Sequence, residues 1–103
     1  MDIKKKYLNK YLGTDEEISN IKNYFILSTA PFVLSEYPTK ENNKLIILNE
    51  IVNCFDVNKQ YDEIEVNEIL INIFCEYVSI RRDLVSYGFM ERNEEGTIYW
   101  TTK

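Results

Sequence analysis

The chain has 103 residues, is 45% hydrophobic and 14% aromatic, and carries a net charge of −5 at pH 7. That is the size of one domain, roughly 100–150 residues being usual, and a chain this long buries about two-thirds of its unfolded surface without metals or bridges. The composition argues against disorder, no apolar run nears the ~20 residues of a membrane-spanning helix, and the absence of histidine excludes His-based nucleophile pairs and His-containing zinc sites.

In chain order, Asp2 to Leu12 reads as a short helix with Ile3, Tyr7, Leu8 and Tyr11 along one side. Lys4, Lys5, Lys6 and Lys10 surround that stripe, as a solvated face or as an arm that contacts phosphate. No apolar segment of signal-peptide type follows the basic start, so a cytoplasmic location is expected. Gly13 ends this helix, and Thr14-x-x-Glu17 is a capping box that opens a second one with Ile18, Ile21 and Phe25 as its stripe. Helices this short draw most of their stability from packing, and the apolar faces of these two, with Ile3, Tyr7, Leu8 and Tyr11 in surplus, suggest a homodimer. Phe25 to Leu34 is a connector with strand character, in which Pro31 permits only an edge position or a break.

Tyr37-Pro38-Thr39 closes the connector. Proline biases Tyr37 away from helix, and Thr39 is a plausible N-cap. Lys40 to Phe55 is then a helix with Leu45, Leu48, Ile51, Val52 and Phe55 on its apolar face. After the polar loop Asp56 to Gln60, a second capping box, Asp62-x-x-Glu65, opens a helix expected to reach Cys75. Val66, Ile69, Leu70, Ile73 and Phe74 form its stripe. The next helix turns Tyr77, Ile80, Leu84 and Tyr87 inward and Arg81, Arg82 and Asp83 largely outward, and Gly88 stops it. Two β-prone runs, Phe89 to Arg92 and Thr97 to Trp100, flank Asn93-Glu94-Glu95-Gly96, a hairpin signal. Ile69, Leu70, Ile73, Leu84 and Phe89 are the expected core. Cys54 and Cys75 lack CxxC spacing, lie on the predicted helices, and read as buried free thiols.

Helix, turn, helix, hairpin is the order of a winged helix. The expected class is mainly α (α+β): a winged-helix-like helix-turn-helix with a C-terminal β-hairpin wing over residues 37–103, and an N-terminal helical extension, 1–36, packed on it as one compact unit. The charge is unevenly placed on this frame. Residues 61–103 hold nine acids against four bases, a net of −5, and residues 1–60 are neutral. A stand-alone DNA binder shows a basic footprint, which this segment lacks.

A resemblance rests on Tyr61-Asp62-Glu63-Ile64-Glu65-Val66-Asn67-Glu68-Ile69-Leu70, continued by Glu76-Tyr77, Arg81-Arg82, Leu84, Tyr87-Gly88, Glu91-Arg92, Gly96 and Tyr99-Trp100. Over about residues 37–100, with Pro38-Thr39-Lys40 upstream, the chain resembles a bacterial domain-of-unknown-function family, number 2087. That family occurs alone and attached to helix-turn-helix transcriptional regulators. The likeness departs at Glu76, where the family tends to Asp, a better cap. Ile80-Arg81-Arg82-Asp83-Leu84 with Gly88 and Arg92 is also similar to the recognition-helix segment of sugar-responsive winged-helix repressors. The resemblance implies transcription regulation as the setting.

Candidate site residues follow from the helix-turn-helix reading. Arg81 and Arg82, with Ser79 beside them, would sit near the start of a recognition helix within reach of guanine edges or phosphates. The alternative is that one or both arginines pair with Glu63, Glu65 or Glu68 of the preceding helix. Asn67 reads as a base contact or as a local hydrogen-bonding residue. Arg92 is placed to enter a minor groove from the wing, Trp100 to cover the core, and Glu94 and Glu95 at the wing tip would repel phosphates. The carboxylates lie on solvated helix faces and three glycines form no phosphate loop, so neither an enzyme nor a cofactor is expected. DNA binding in a regulatory setting is the first expectation, with double-stranded DNA and a second copy as partners. A protein-interaction module on the same fold, with a regulatory protein as partner, is the alternative.

Overall fold

The computed structural model describes residues 13–102. The helix expected before Gly13, with its stripe of Ile3, Tyr7, Leu8 and Tyr11, its lysines and the dimer surface inferred from it, lies outside the described residues.

Helix α1, Asp15–Phe25, opens as the sequence predicts. Thr14 Oγ1 accepts the Glu17 N–H at 3.1 Å, and the Thr14 N–H donates to Glu17 Oε1 at 2.8 Å, so two otherwise unpaired amides are satisfied reciprocally. Strands β1, Ile26–Thr29, and β2, Phe32–Leu34, follow as an antiparallel hairpin turned at a cis Ala30–Pro31 peptide. The expected connector is therefore a paired element. Pro31 falls at its tip, where it has no ladder N–H to lose. A bulge between Ile26 and Ser28 shifts the register. The hairpin is tied down by the Ser35 N–H donating to Phe25 O at 2.8 Å and the Leu34 N–H donating to Ile73 O at 3.0 Å.

Helix α2 runs Glu41–Val52 from an extended Lys40 that makes no side-chain cap. Thr39, the expected cap, stands one residue too early. Leu45, Leu48, Ile51, Val52 and Phe55 are buried as expected, and Ile46 and Ile47 are buried with them. The helix stops three residues before Phe55 because Asn53, Cys54 and Phe55 donate to carbonyls three residues back, which tightens the chain into turns.

Strand β3, Tyr61–Asp62, leads into helix α3, Glu63–Ile71. Its capping box is formed, with Asp62 Oδ1 accepting the Glu65 N–H at 2.8 Å and the Asp62 N–H donating to Glu65 Oε1 at 3.0 Å. This helix also ends early. Ile73 and Phe74 both donate to Leu70 O, closing a turn in place of the stretch expected to reach Cys75. Helix α4, Tyr77–Ser86, is stopped by Gly88 at φ 80, the left-handed value that favours glycine. Strands β4, Met90–Arg92, and β5, Ile98–Thr101, form the expected hairpin with Arg92 opposite Tyr99. Tyr61 pairs with Tyr99 on the other side of β5, giving a three-stranded antiparallel sheet in the order β3-β5-β4.

The described chain is thus α+β, with four helices and two small antiparallel sheets. One core joins all of them. Leu45, Ile47, Leu48 and Ile51 of α2 meet Val66 and Leu70 of α3, Ile80 and Leu84 of α4, and Phe89 with Met90 and Tyr99 of the sheet, together with Phe25 at the end of α1 and Leu34 of β2. Of the five expected core residues, Leu70, Ile73, Leu84 and Phe89 are buried and Ile69 is only half-buried against the cluster. Both cysteines are free and exposed, because each falls in a turn just outside a helix rather than on its apolar face. No helix among the described residues is long and apolar enough to cross a membrane.

Candidate functional site

Helix α4 advances about 100° per residue, and Ile80 and Leu84 fix its buried line. Arg81 and Asp83 must then lie on opposite flanks of that line, and only Arg82 points directly away from it. The structure corrects the expectation that all three face outward. The Arg81 side chain is 16% exposed and Asp83 20%, whereas Arg82 is exposed.

Each flank is held. Arg81 Nη1 donates to Asn67 Oδ1 at 2.6 Å and lies 3.4 Å from Glu63 Oε1, so α4 is pinned to α3 by a charge-assisted hydrogen bond beside an ion pair. On the other flank Asp83 Oδ2 accepts the Tyr37 hydroxyl at 2.7 Å and stands 3.3 Å from Lys44 Nζ, which itself lies 5.7 Å over the Tyr37 ring. Burial, with the Asp83 carboxylate beside it, drives the Tyr37 phenol far above its ordinary value.

Arg92 ends β4 and curls over the hairpin turn, where its Nη1 donates to the carbonyls of Asn93 and Glu94, both at 3.1 Å. Asn93 organises that turn, since its Oδ1 accepts the N–H groups of Thr97 at 2.8 Å and Ile98 at 3.1 Å. Gly96 has φ 71, and a Cβ there would stand 3.1 Å from Arg92 Nη1. Glycine therefore serves both the turn and the seating of the arginine.

Between α4 and the β4–β5 hairpin lies a cleft of about 370 Å³ lined by Arg81, Arg82, Val85, Ser86, Arg92 and Tyr99. Arg81, Arg82 and Arg92 are all the arginines of the chain. Among the described residues no carboxylate lines the cleft, although acids outnumber bases in residues 61–103.

Comparison with known families matches residues 33–101 to a family described as an uncharacterized protein conserved in bacteria, DUF2087. The chain belongs to the DUF2087 family. No curated protein and no solved structure matches it. The DUF2087 segment begins inside β2, runs to the last residue of β5, and contains every residue of the cleft.

Within the DUF2087 segment the predicted site residues have separate fates. Arg81, Arg82 and Arg92 converge on the cleft. Asn67 does not line it; it acts through Arg81, fourteen residues away in sequence, rather than on its own loop. Ser79 is exposed one turn before Arg82 on the same side of α4, outside the lining. Trp100 is half-buried. Ser86 and Tyr99 are lining residues that the sequence did not single out. Ser86 sits four residues after Arg82, which is a helical-neighbour signal, and Tyr99 stands opposite Arg92 in the expected hairpin, so strand register was the signal that could have found it. Among the described residues no group of three or more His, Cys, Asp or Glu is placed to hold a metal ion.

Proposed function

We propose that this DUF2087 chain is a winged-helix-like module that binds duplex DNA in a regulatory setting. The convergence of all three arginines on a cleft without acids carries the reading. The element order α2-β3-α3-α4-β4-β5 with sheet order β3-β5-β4 supports it, because that order is compatible with α4 as the second helix of a helix-turn-helix and the β4–β5 hairpin as its wing. In this reading Arg82 and Ser79 face the duplex from α4, Arg92 approaches from the wing, and Arg81 with Asn67 sets the tilt of the reading helix.

Anisotropy of a labelled random-sequence duplex, followed from low to moderate salt, tests the proposal. The wild-type chain should bind at low salt and weaken as salt rises. Joint substitution of Arg82 and Arg92 by alanine should lower affinity and flatten the salt slope by about two. No binding at low salt overturns it. The excess of acids in residues 61–103, and exposed Glu94 and Glu95 at the hairpin tip, favour a second reading in that event: a protein-interaction module on the same fold.

A further inference from the structure

We propose that the cleft between α4 and the β4–β5 hairpin is a phosphate seat, in which Arg81 and Arg92 are fixed in advance and Arg82 closes on the bound group. This rests on the DNA reading above and specifies its chemistry. The ligand is a tetrahedral phosphate carried by a larger molecule, since a cleft of about 370 Å³ leaves room for the ester attached to it.

Three observations carry the seat. First, two of the guanidinium groups are immobilised through the same atom. Arg81 Nη1 is held by Asn67 and Glu63 of α3, and Arg92 Nη1 by two carbonyls of the hairpin turn. A guanidinium has five N–H donors in a fixed plane, so holding Nη1 orients the others, and among the described residues Nε and Nη2 have no hydrogen-bond partner. Second, Arg82 has neither a hydrogen bond nor an ion pair among the described residues, yet it lines the same cleft. It retains its full donor set and its freedom to move. Third, the remaining lining supplies the hydroxyls of Ser86 and Tyr99 with the apolar wall of Val85. Uncharged donors suit phosphate oxygens, and no acid stands there to repel them. An ordinary solvated cluster of arginines would be expected to pair off with the acids that surround it, and here only Arg81 does so, on the side that faces α3.

The chain contains only three arginines, so the Nε–Hε resonances of the ¹⁵N-labelled full chain report the cleft directly. Inorganic phosphate, titrated at constant ionic strength against a chloride control, should move all three signals along one saturating curve. Arg92→Lys keeps the charge but loses the planar fork and should weaken phosphate about tenfold. Lys40→Ala, remote from the cleft, should leave the curve unchanged. Signals that fail to saturate, or that respond equally to chloride, overturn the seat.

A duplex arm separates the sources of the phosphate. Duplex binding that moves the three signals and is competed by phosphate supports a seat for the phosphodiester backbone. Saturable phosphate binding without any duplex binding supports the seat for a free phosphate ester and removes the DNA reading. Duplex binding that leaves the three signals unmoved overturns the seat and spares the DNA reading.

Discussion

Arg81 and Arg82 are adjacent in sequence but should differ sharply in what their loss costs. In Arg81→Ala the chain loses a 2.6 Å hydrogen bond from a charged donor to Asn67, a contribution of about 1.5–3 kcal/mol. It also loses the ion pair to Glu63, whose side chain is 45% exposed; solvent limits that term to about 1 kcal/mol or less. The contributions overlap, so the expected total is about 2–3 kcal/mol. Arg82→Ala removes an exposed, unpaired side chain and should change stability by no more than about 0.5 kcal/mol. At about 4–8 °C per kcal/mol for a domain of this size, the two single variants should melt at least about 6 °C apart. Thermal and urea denaturation followed by far-UV circular dichroism, in dilute and in concentrated salt, measures the difference. Most of the Arg81→Ala loss should persist in salt, because Asn67 is a neutral acceptor. Equal melting temperatures for the two variants, or a deficit that salt abolishes, would refute the assignment of Arg81 as the pin between α3 and α4.

Two further outcomes follow from the packing and from the opposite flank of α4. Leu70 is fully buried between α3 and its neighbours, so Leu70→Ala should lower stability by about 2–5 kcal/mol; an unchanged urea midpoint would place it outside the core. The phenol of Tyr37 is raised by burial and by its bond to Asp83. Its stabilising contribution is therefore full below about pH 10, the unfolded value, and is lost as pH climbs beyond that toward the folded value. Tyr37→Phe should cost about 1.5–3 kcal/mol at neutral pH and should flatten the alkaline limb of the stability curve, and a limb of unchanged slope would argue against the bond.

What the sequence discloses here is mostly local. The two capping boxes, the helical stripe of α2, the Gly88 stop and the Gly96 hairpin each depend on residues within a few positions of one another, and each forms as read. Helix ends are less legible. The sequence pattern carries Cys54 and Cys75 on helices that in fact stop earlier, because amides turning back three residues compete on nearly equal terms with one more helical turn. The pairing of Tyr61 with Tyr99 could not be read at all, since two residues carry no strand periodicity. At the candidate site the arginines stand out by residue type alone. Their division of labour does not. Whether an arginine on a helix flank is held or free depends on the acids and amides that a neighbouring helix presents, and that is a property of the packed molecule.

The bulge between Ile26 and Ser28 bears on how concentrated solutions of this protein behave. Among the described residues β1 pairs only with β2, so its far side offers unpaired backbone groups, with exposed Leu27 on the same strand and exposed Tyr24 just before it. A long flat strand of that kind is a template for sheet growth between molecules. A bulge twists the strand away from a straight ladder, and the hairpin turn ends the run after four residues. Straightening β1 by removing the bulge would be expected to leave the monomer folded and to shorten its shelf life, with aggregation that begins at this strand.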